Sequence, residues 1–212
     1  FFQAEDGIRY VERSRGLGDV YKRQGWTTVK DSGATVAIVA DTVGGELGIT
    51  SAATTDNDGG SVQGNEIFAV AADKNMFFQT RIKNNDVDQT DICVGFTVNF
   101  ATNPENMLTA TDRIVFQVDD GDASILCKTE KDGTETSTDS GIDMVDDTYI
   151  KLGIACSGTG KVEFFINDKL VATHSTNIPD DENLAIAAMS LSGSASGTRV
   201  TTIDYLMGAR TR

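Results

Sequence analysis

The sequence predicts an all-β protein, an antiparallel jelly-roll β-sandwich of about 11–13 strands with no long helix. Three observations carry this. Short apolar runs alternating with period two recur at spacings of roughly eight to twelve residues. They are separated by turn-forming residues, with 21 Gly but only two Pro in 212 residues. The run GKVEFFINDKLVAT, residues 160–173, reads as a β-hairpin that needs a facing sheet. In it Val162, Phe164 and Ile166 share one face, and Leu170 and Ala172 are expected to continue that face after the Asn167-Asp168 turn.

The elements follow in order. Residues 34–40 (ATVAIVA) and 46–50 (ELGIT) read as strands around the turn at Gly44-Gly45, and residues 54–60 (TTDNDGG) as a polar turn. Trp26, the only tryptophan, is expected to pack at the core or its edge. In residues 76–83, Met76, Phe78, Thr80 and Ile82 fall on one face and Phe77, Gln79 and Arg81 on the other. Residues 91–100 give the longest clean alternation (Ile92, Val94, Phe96, Val98, Phe100), a central strand with one face buried. Residues 101–111 form a loop with one helical turn near Glu105–Leu108. Strands at 113–118 and 123–129 flank the turn DDGD. Asp132-Gly133 is a hairpin turn leading into a polar edge stretch. Residues 148–156 place Ile150, Leu152, Ile154 and Cys156 on one face ahead of the hairpin. Residues 184–191 form an apolar strand. Residues 198–207 close the domain with Ile203, Tyr205 and Met207 on one face, and the basic tail from Gly208 is expected to fray. No internal repeat appears, so residues 25–212 form one domain.

Residues 1–24 are unlike the rest, with no period and no apolar centre of the kind a signal peptide needs. FQAEDGIR and SRGLGDVYKRQ resemble the conceptual translation of a sequencing-library adapter found at the ends of open reading frames from environmental DNA. The resemblance implies a non-native or disordered segment, a missing true N-terminus and a metagenomic source.

Charge narrows the partners. A formal net charge of −14 argues against nucleic acid, whose backbone is held largely by Lys and Arg. No run is long and apolar enough for a membrane-spanning helix. Cys93, Cys127 and Cys156 are odd in number and form no CxxC pair, so buried free thiols are expected, as suits synthesis in a cytoplasm.

Catalytic chemistry is hard to find. Sandwich glycosidases need two carboxylates on one strand face, a spacing that ExDxxE supplies. No strand here has it, and Glu163 and Asp204 stand alone. His174 is the only histidine, is expected at a surface strand end, and has no GxSxG serine to serve. The expectation is therefore no enzymatic activity, no catalytic residue and no cofactor. Two acidic turns are weak candidates for calcium, through Asp56 and Asp58 in one and Asp119, Asp120 and Asp122 in the other. Such turns are more often plain, because Asp and Asn bond their own backbone there.

The C-terminal half carries a resemblance. TYIKLGIAC, the turn SGTG, KVEFFINDKLVAT and the closing TIDYLM resemble the concanavalin A-like or laminin-G-like jelly roll. DRIVFQVDDGDASILCKTEKDGTETSTDSG followed by VDDTYIKLG resembles virion structural proteins of tailed bacteriophages with that fold. The resemblance implies a non-enzymatic, capsid-associated, decorating or fibre-like protein of the virion, made in the host cytoplasm. Its implied partners are capsid or other virion proteins, or copies of itself. The alternative it implies is a glycan-binding laminin-G-like module, with calcium as its cation.

Overall fold

Alternation of apolar and polar residues builds two antiparallel sheets packed face to face. The structure, a computed structural model, describes residues 8–13, 25–40, 42, 45–51, 55–100, 102–193 and 197–211. In chain order the strands are β1 (Ile8–Arg13), β2 (Thr27–Lys30), β3 (Thr35–Val39), β4 (Glu46–Thr50), β5 (Gly59–Gln63), β6 (Phe68–Ala69), β7 (Asn75–Asn84) and β8 (Thr90–Thr97). There follow β9 (Arg113–Val118), β10 (Ser124–Lys131), β11 (Thr134–Asp143), β12 (Ile150–Ser157), β13 (Lys161–Ile166), β14 (Lys169–His174), β15 (Asn183–Ser192) and β16 (Val200–Thr211). The described residues thus hold 16 strands, more than the sequence suggests; β1 and the two-residue β6 account for two of them.

Sheet A runs β14-β13-β12-β7-β16-β4-β3, with β1 also on β16. Sheet B runs β11-β10-β9-β8-β15-β5-β2, with β6 also on β15. The last two strands are thus inserted strands: β16 lies between β7 and β4, and β15 between β8 and β5. β1 pairs along the C-terminal half of β16, Arg13 opposite Met207, so part of the 1–24 segment joins sheet A. The rest of that segment lies outside the described residues. Among the described residues no helix is long and apolar enough to cross a membrane.

Turn chemistry sets the hairpins. Asn167 and Asp168 have φ of 49° and 68°, and Asp132 and Gly133 have φ of 49° and 74°. Two consecutive positive values make the type I′ turn, whose twist matches that of the flanking strands. Aromatic rings fill the space between the sheets. Phe116 meets Phe164 edge-on at 5.2 Å, and Phe96 lies 5.1 Å from Phe68 and 5.8 Å from Phe78. Each of these rings is buried.

Four expectations from the sequence fail, two of them where the backbone breaks register. Leu170 does not continue the inner face of the hairpin. A bulge sets Ala172 opposite Phe164 but Leu170 opposite Phe165, so Leu170 turns outward and is 53% exposed. A second bulge, between Ile203 and Tyr205, sends Ile203 and Leu206 to the core and leaves Tyr205 and Met207 outside it. The tail from Gly208 does not fray, since β16 continues to Thr211 between β7 and β1. Finally, β8 ends at Thr97 and is buried on both faces; Phe100 has left the strand and folds back over its outer side. Trp26 packs partly buried against the main core, and β3, though apolar, is a half-exposed edge strand.

Phe164→Ala opens a cavity at the aromatic contact between the sheets. The unfolding free energy in urea is expected to fall by about 3–5 kcal/mol, whereas the same change at the outward Phe165 costs far less.

Candidate functional site

Register assigns the outward side chains of sheet B to rows. Thr97, Arg113, Glu130 and Glu135 form one row across β8, β9, β10 and β11. Gly95, Val115, Lys128 and Ser137 form the next, and Cys93, Gln117, Leu126 and Asp139 the third. Ile92 pairs with Val118, and the next residues are Asp91, still in β8, and Asp119, just past the end of β9.

The loop between β8 and β9 covers the centre of this face. Asn103 caps its 3-10 turn (Pro104–Met107) by accepting from the Glu105 amide at 3.0 Å. Phe100, Met107 and Leu108 pack over Cys93, Val115, Ala187, Met189 and Leu191, which explains why the strands beneath are buried on both sides. Polar bonds pin the loop. Gln63 Nε2 donates to Asn99 Oδ1 at 2.8 Å, and the Asn99 amide donates to Glu66 Oε1 at 2.8 Å.

Beside the loop runs a charged strip built on Arg113. Its guanidinium is almost wholly buried and makes four hydrogen bonds. Nε donates to Glu130 Oε2 at 2.7 Å and Nη2 to Glu135 Oε2 at 2.9 Å. Nη1 donates to Gln117 Oε1 at 3.0 Å and to the Met107 carbonyl at 3.2 Å. Arg113 therefore ties the loop to the strip. Lys128 Nζ lies 3.4 Å from Glu135, and Gln117 donates to Asp119.

Asp91 sits at the end of the strip, 5% exposed. Burial pushes its carboxyl up to about 6; the Asp120 amide, donating to Oδ1 at 2.9 Å, opposes this, and the charges of Asp120, Asp119 and Asp56 add to it. A carboxyl that holds its proton near neutrality, facing a second carboxylate, is the arrangement proton-transfer chemistry uses.

The two acidic turns do converge, because Asp56, Asp119 and Asp120 all act on Asp91. Their carboxylates are taken up locally. Asp56 Oδ1 accepts from the Asn57 amide at 3.1 Å, Asp122 Oδ1 from the Ser124 amide at 3.0 Å, and Asp58 from the Thr55 hydroxyl. Among the described residues no group of three or more His, Cys, Asp or Glu side chains gathers as a metal site would need. Glu163 pairs with Lys161, and Asp204 with Arg81. The three cysteines are buried free thiols, each pushed up to about 12 by burial.

His174 is not a surface histidine. It is 3% exposed, and its ring lies 5.1 Å from that of Phe164. Thr129 Oγ1 donates its single proton to the Thr176 carbonyl at 3.1 Å, so it must accept from His174 Nδ1 at 2.9 Å. Nε2 then accepts from Thr138 Oγ1 at 3.0 Å. The neutral ring thereby ties β14 of sheet A to β10 and β11 of sheet B, and burial lowers its pKa.

No family model matches the chain, and no curated protein matches it. Solved structures do. A protein of unknown function from Shewanella oneidensis MR-1 superposes with a TM-score of 0.68 at 11% identity, over 99% of this chain and 89% of that one. A native glycosidic hydrolase gives 0.63 at 14% identity, over 95% of each chain. A prokaryotic β-1,3-1,4-glucanase (lichenase) derived from a mouse hindgut metagenome gives 0.64 at 12% identity, over 93% and 97%. The class so defined is the concanavalin A-like jelly-roll sandwich, as the sequence predicts.

The expectation of no enzymatic activity is corrected. Two of these three structures are enzymes named for hydrolysis or glucan cleavage, matched over nearly the whole chain. A search for paired carboxylates along one strand does not reach Asp91, whose neighbours Asp56, Asp119 and Asp120 come from other segments of the chain.

Two measurements probe these contacts. Arg113→Met leaves Glu130 and Glu135 without their buried partner; unfolding in urea is expected to ease by about 3–5 kcal/mol, with faster proteolytic nicking in the loop after β8. A group whose folded pKa is depressed gives stability that is present above its unfolded pKa and lost as pH falls. The stability advantage of wild type over His174→Gln is therefore expected to be full above about pH 6.5 and to shrink below it. Comparison with the variant removes Asp91, which acts in the opposite sense over an overlapping range.

Proposed function

We propose that the chain is a carbohydrate-active protein that binds a polysaccharide along the strip of sheet B beside the β8–β9 loop and cleaves it there. The observation that carries this reading is a buried carboxyl, Asp91 on the outward face of β8, close enough to Asp119 just beyond β9 for that charge to act on it, in a jelly roll shared with glycan-cleaving enzymes. Retaining glycosidases use two neighbouring carboxyl groups, one as acid and one as nucleophile.

The roles follow from the surroundings. Asp91 carries the proton, since burial and neighbouring charges raise its pKa; it donates that proton to the glycosidic oxygen as the bond to the leaving sugar breaks. Asp119, oriented by Gln117 Nε2, forms the bond to the anomeric carbon as the leaving sugar departs, and water, giving its proton to Asp91, then releases the bound sugar. Lys128, Glu130, Glu135 and Ser137 supply donors and acceptors for sugar hydroxyls. Arg113 is a positioning residue that fixes both glutamates. A virion docking role draws no support from these likenesses, and the carbohydrate reading stands in its place.

Release of reducing ends from mixed-linkage glucan, xylan and laminarin tests the proposal. Activity is expected to decline as pH rises through about 6, where Asp91 loses its proton. Asp91→Asn is expected to lower kcat at least roughly 100-fold, within the usual range for loss of a general acid, with binding retained. Full activity in Asp91→Asn, or no release from any of these polymers, would overturn the reading.

A further inference from the structure

We propose that the outer face of sheet A is a second carbohydrate-binding surface, which holds an uncharged polysaccharide by stacking on Phe77 and Phe165. It rests on the carbohydrate reading above only for the class of ligand; the residues and the sheet are different.

The face is built by register. Leu170, Phe165, Gly153, Gln79 and Met207 lie in one row across β14, β13, β12, β7 and β16. In the next row Ala155 stands between Glu163 and Phe77. β12 therefore presents only Gly153 and Ala155 at this level, between two phenylalanines that stand on the strands to either side. A Cβ placed on Gly153 would meet only ordinary contacts, the nearest being Phe165 Cβ at 3.7 Å. Nothing in the backbone requires glycine here, and its effect is a bare trough between rings. Glycine inside a strand often marks a place where a ligand comes close.

Exposure supports a ligand. Phe77 is 41% exposed and Leu170 53%, two of the three large apolar side chains that stand out from the described surface. The hairpin bulge turns Leu170 onto this face, beside Phe165. Polar groups border the rings at the positions that sugar hydroxyls need. Gln79 Oε1 accepts from the Tyr205 hydroxyl at 3.2 Å, which leaves its amide group pointing elsewhere as a donor, and Glu163 flanks Ala155. Apolar faces with a few placed polar groups are what a carbohydrate ring requires.

Charge selects an uncharged occupant. Three cations that border this face are paired, Arg81 with Asp204 at 3.0 Å, Lys161 with Glu163 at 3.2 Å, and Lys151 with Asp168, and a fourth, Lys83, lies over the Tyr149 ring at 4.9 Å. The face is thus nearly neutral in a protein of net charge −14. The long-range field repels polyanions and opposes a second copy of the chain, which carries the same charge. An uncharged polymer meets neither obstacle.

Affinity electrophoresis in native gels tests this, with mixed-linkage glucan, galactomannan or laminarin cast in the gel and alginate as the polyanion. Wild type and Asp91→Asn are expected to be retarded alike in at least one uncharged polymer, and neither in alginate. Phe77→Ala, and Gly153→Leu, which fills the trough, are each expected to weaken retardation by roughly tenfold, the scale of one lost aromatic contact. Their melting temperature and their reducing-end release are expected to match wild type. The proposal falls if no uncharged polymer retards the protein, if Phe77→Ala is retarded as strongly as wild type, or if alginate retards it equally. A dimer in sedimentation that Phe77→Ala dissolves would assign the face to a second copy instead. Loss of reducing-end release with retardation intact would strike the sheet B reading and leave this one standing.

Discussion

The molecule depends on a set of rings clasped between its two sheets. Phe116 and Phe96 rise from sheet B; Phe164 and Phe78 descend from sheet A to meet them, and the His174 ring extends the set to the sheet edge. Neither sheet could hold its inner face in water, and edge-to-face packing fixes how the two are aligned as well as how far apart they lie. The other features follow from that alignment. It decides which side chains of β8, β9 and β10 face outward, and so which carboxylates become neighbours.

The two outer faces meet solvent differently. On sheet B an apolar loop seals the centre and leaves a charged strip beside it, where buried ion pairs hold their geometry at the cost of desolvation. Sheet A has no such cover among the described residues, and its ion pairs stand at the border, half in water. One face therefore suits chemistry that needs a low dielectric and fixed dipoles. The other suits weak, adaptable contact.

Much of the fold could be read from the sequence, because period two survives wherever a strand is straight. β7, β12 and β13 each bury the face that alternation assigns to them. The errors sit where one residue is added. Bulges near Leu170 and Tyr205 reverse the expected side, and no local residue pattern announces them. The burial of β8 on both faces was hidden for another reason, since its cover comes from a loop whose Phe100 and Met107 look like ordinary loop residues. The site was less legible still. Asp119 stands out as one of a turn cluster, while Asp91 does not, because its shifted pKa arises first from burial, with the charges of distant turns adding to it. Pairing across strands is a property of register, which a linear search for spaced carboxylates does not reach.

The position of the last two strands has a consequence for how the chain is made. Until β15 is synthesised, sheet B consists of β2–β5 and β8–β11 as separate pieces; until β16, sheet A is likewise split between β3–β4 and β7–β12–β13–β14. Four edges, on β5, β8, β4 and β7, thus wait with unpaired amides and carbonyls for strands that come much later in the chain. Long-range pairing of this kind is slow, and unfilled slots of strand width accept other chains as readily as their own. A nascent chain of this topology is in effect two half-sandwiches, and its solubility during synthesis is governed by how quickly those slots are filled.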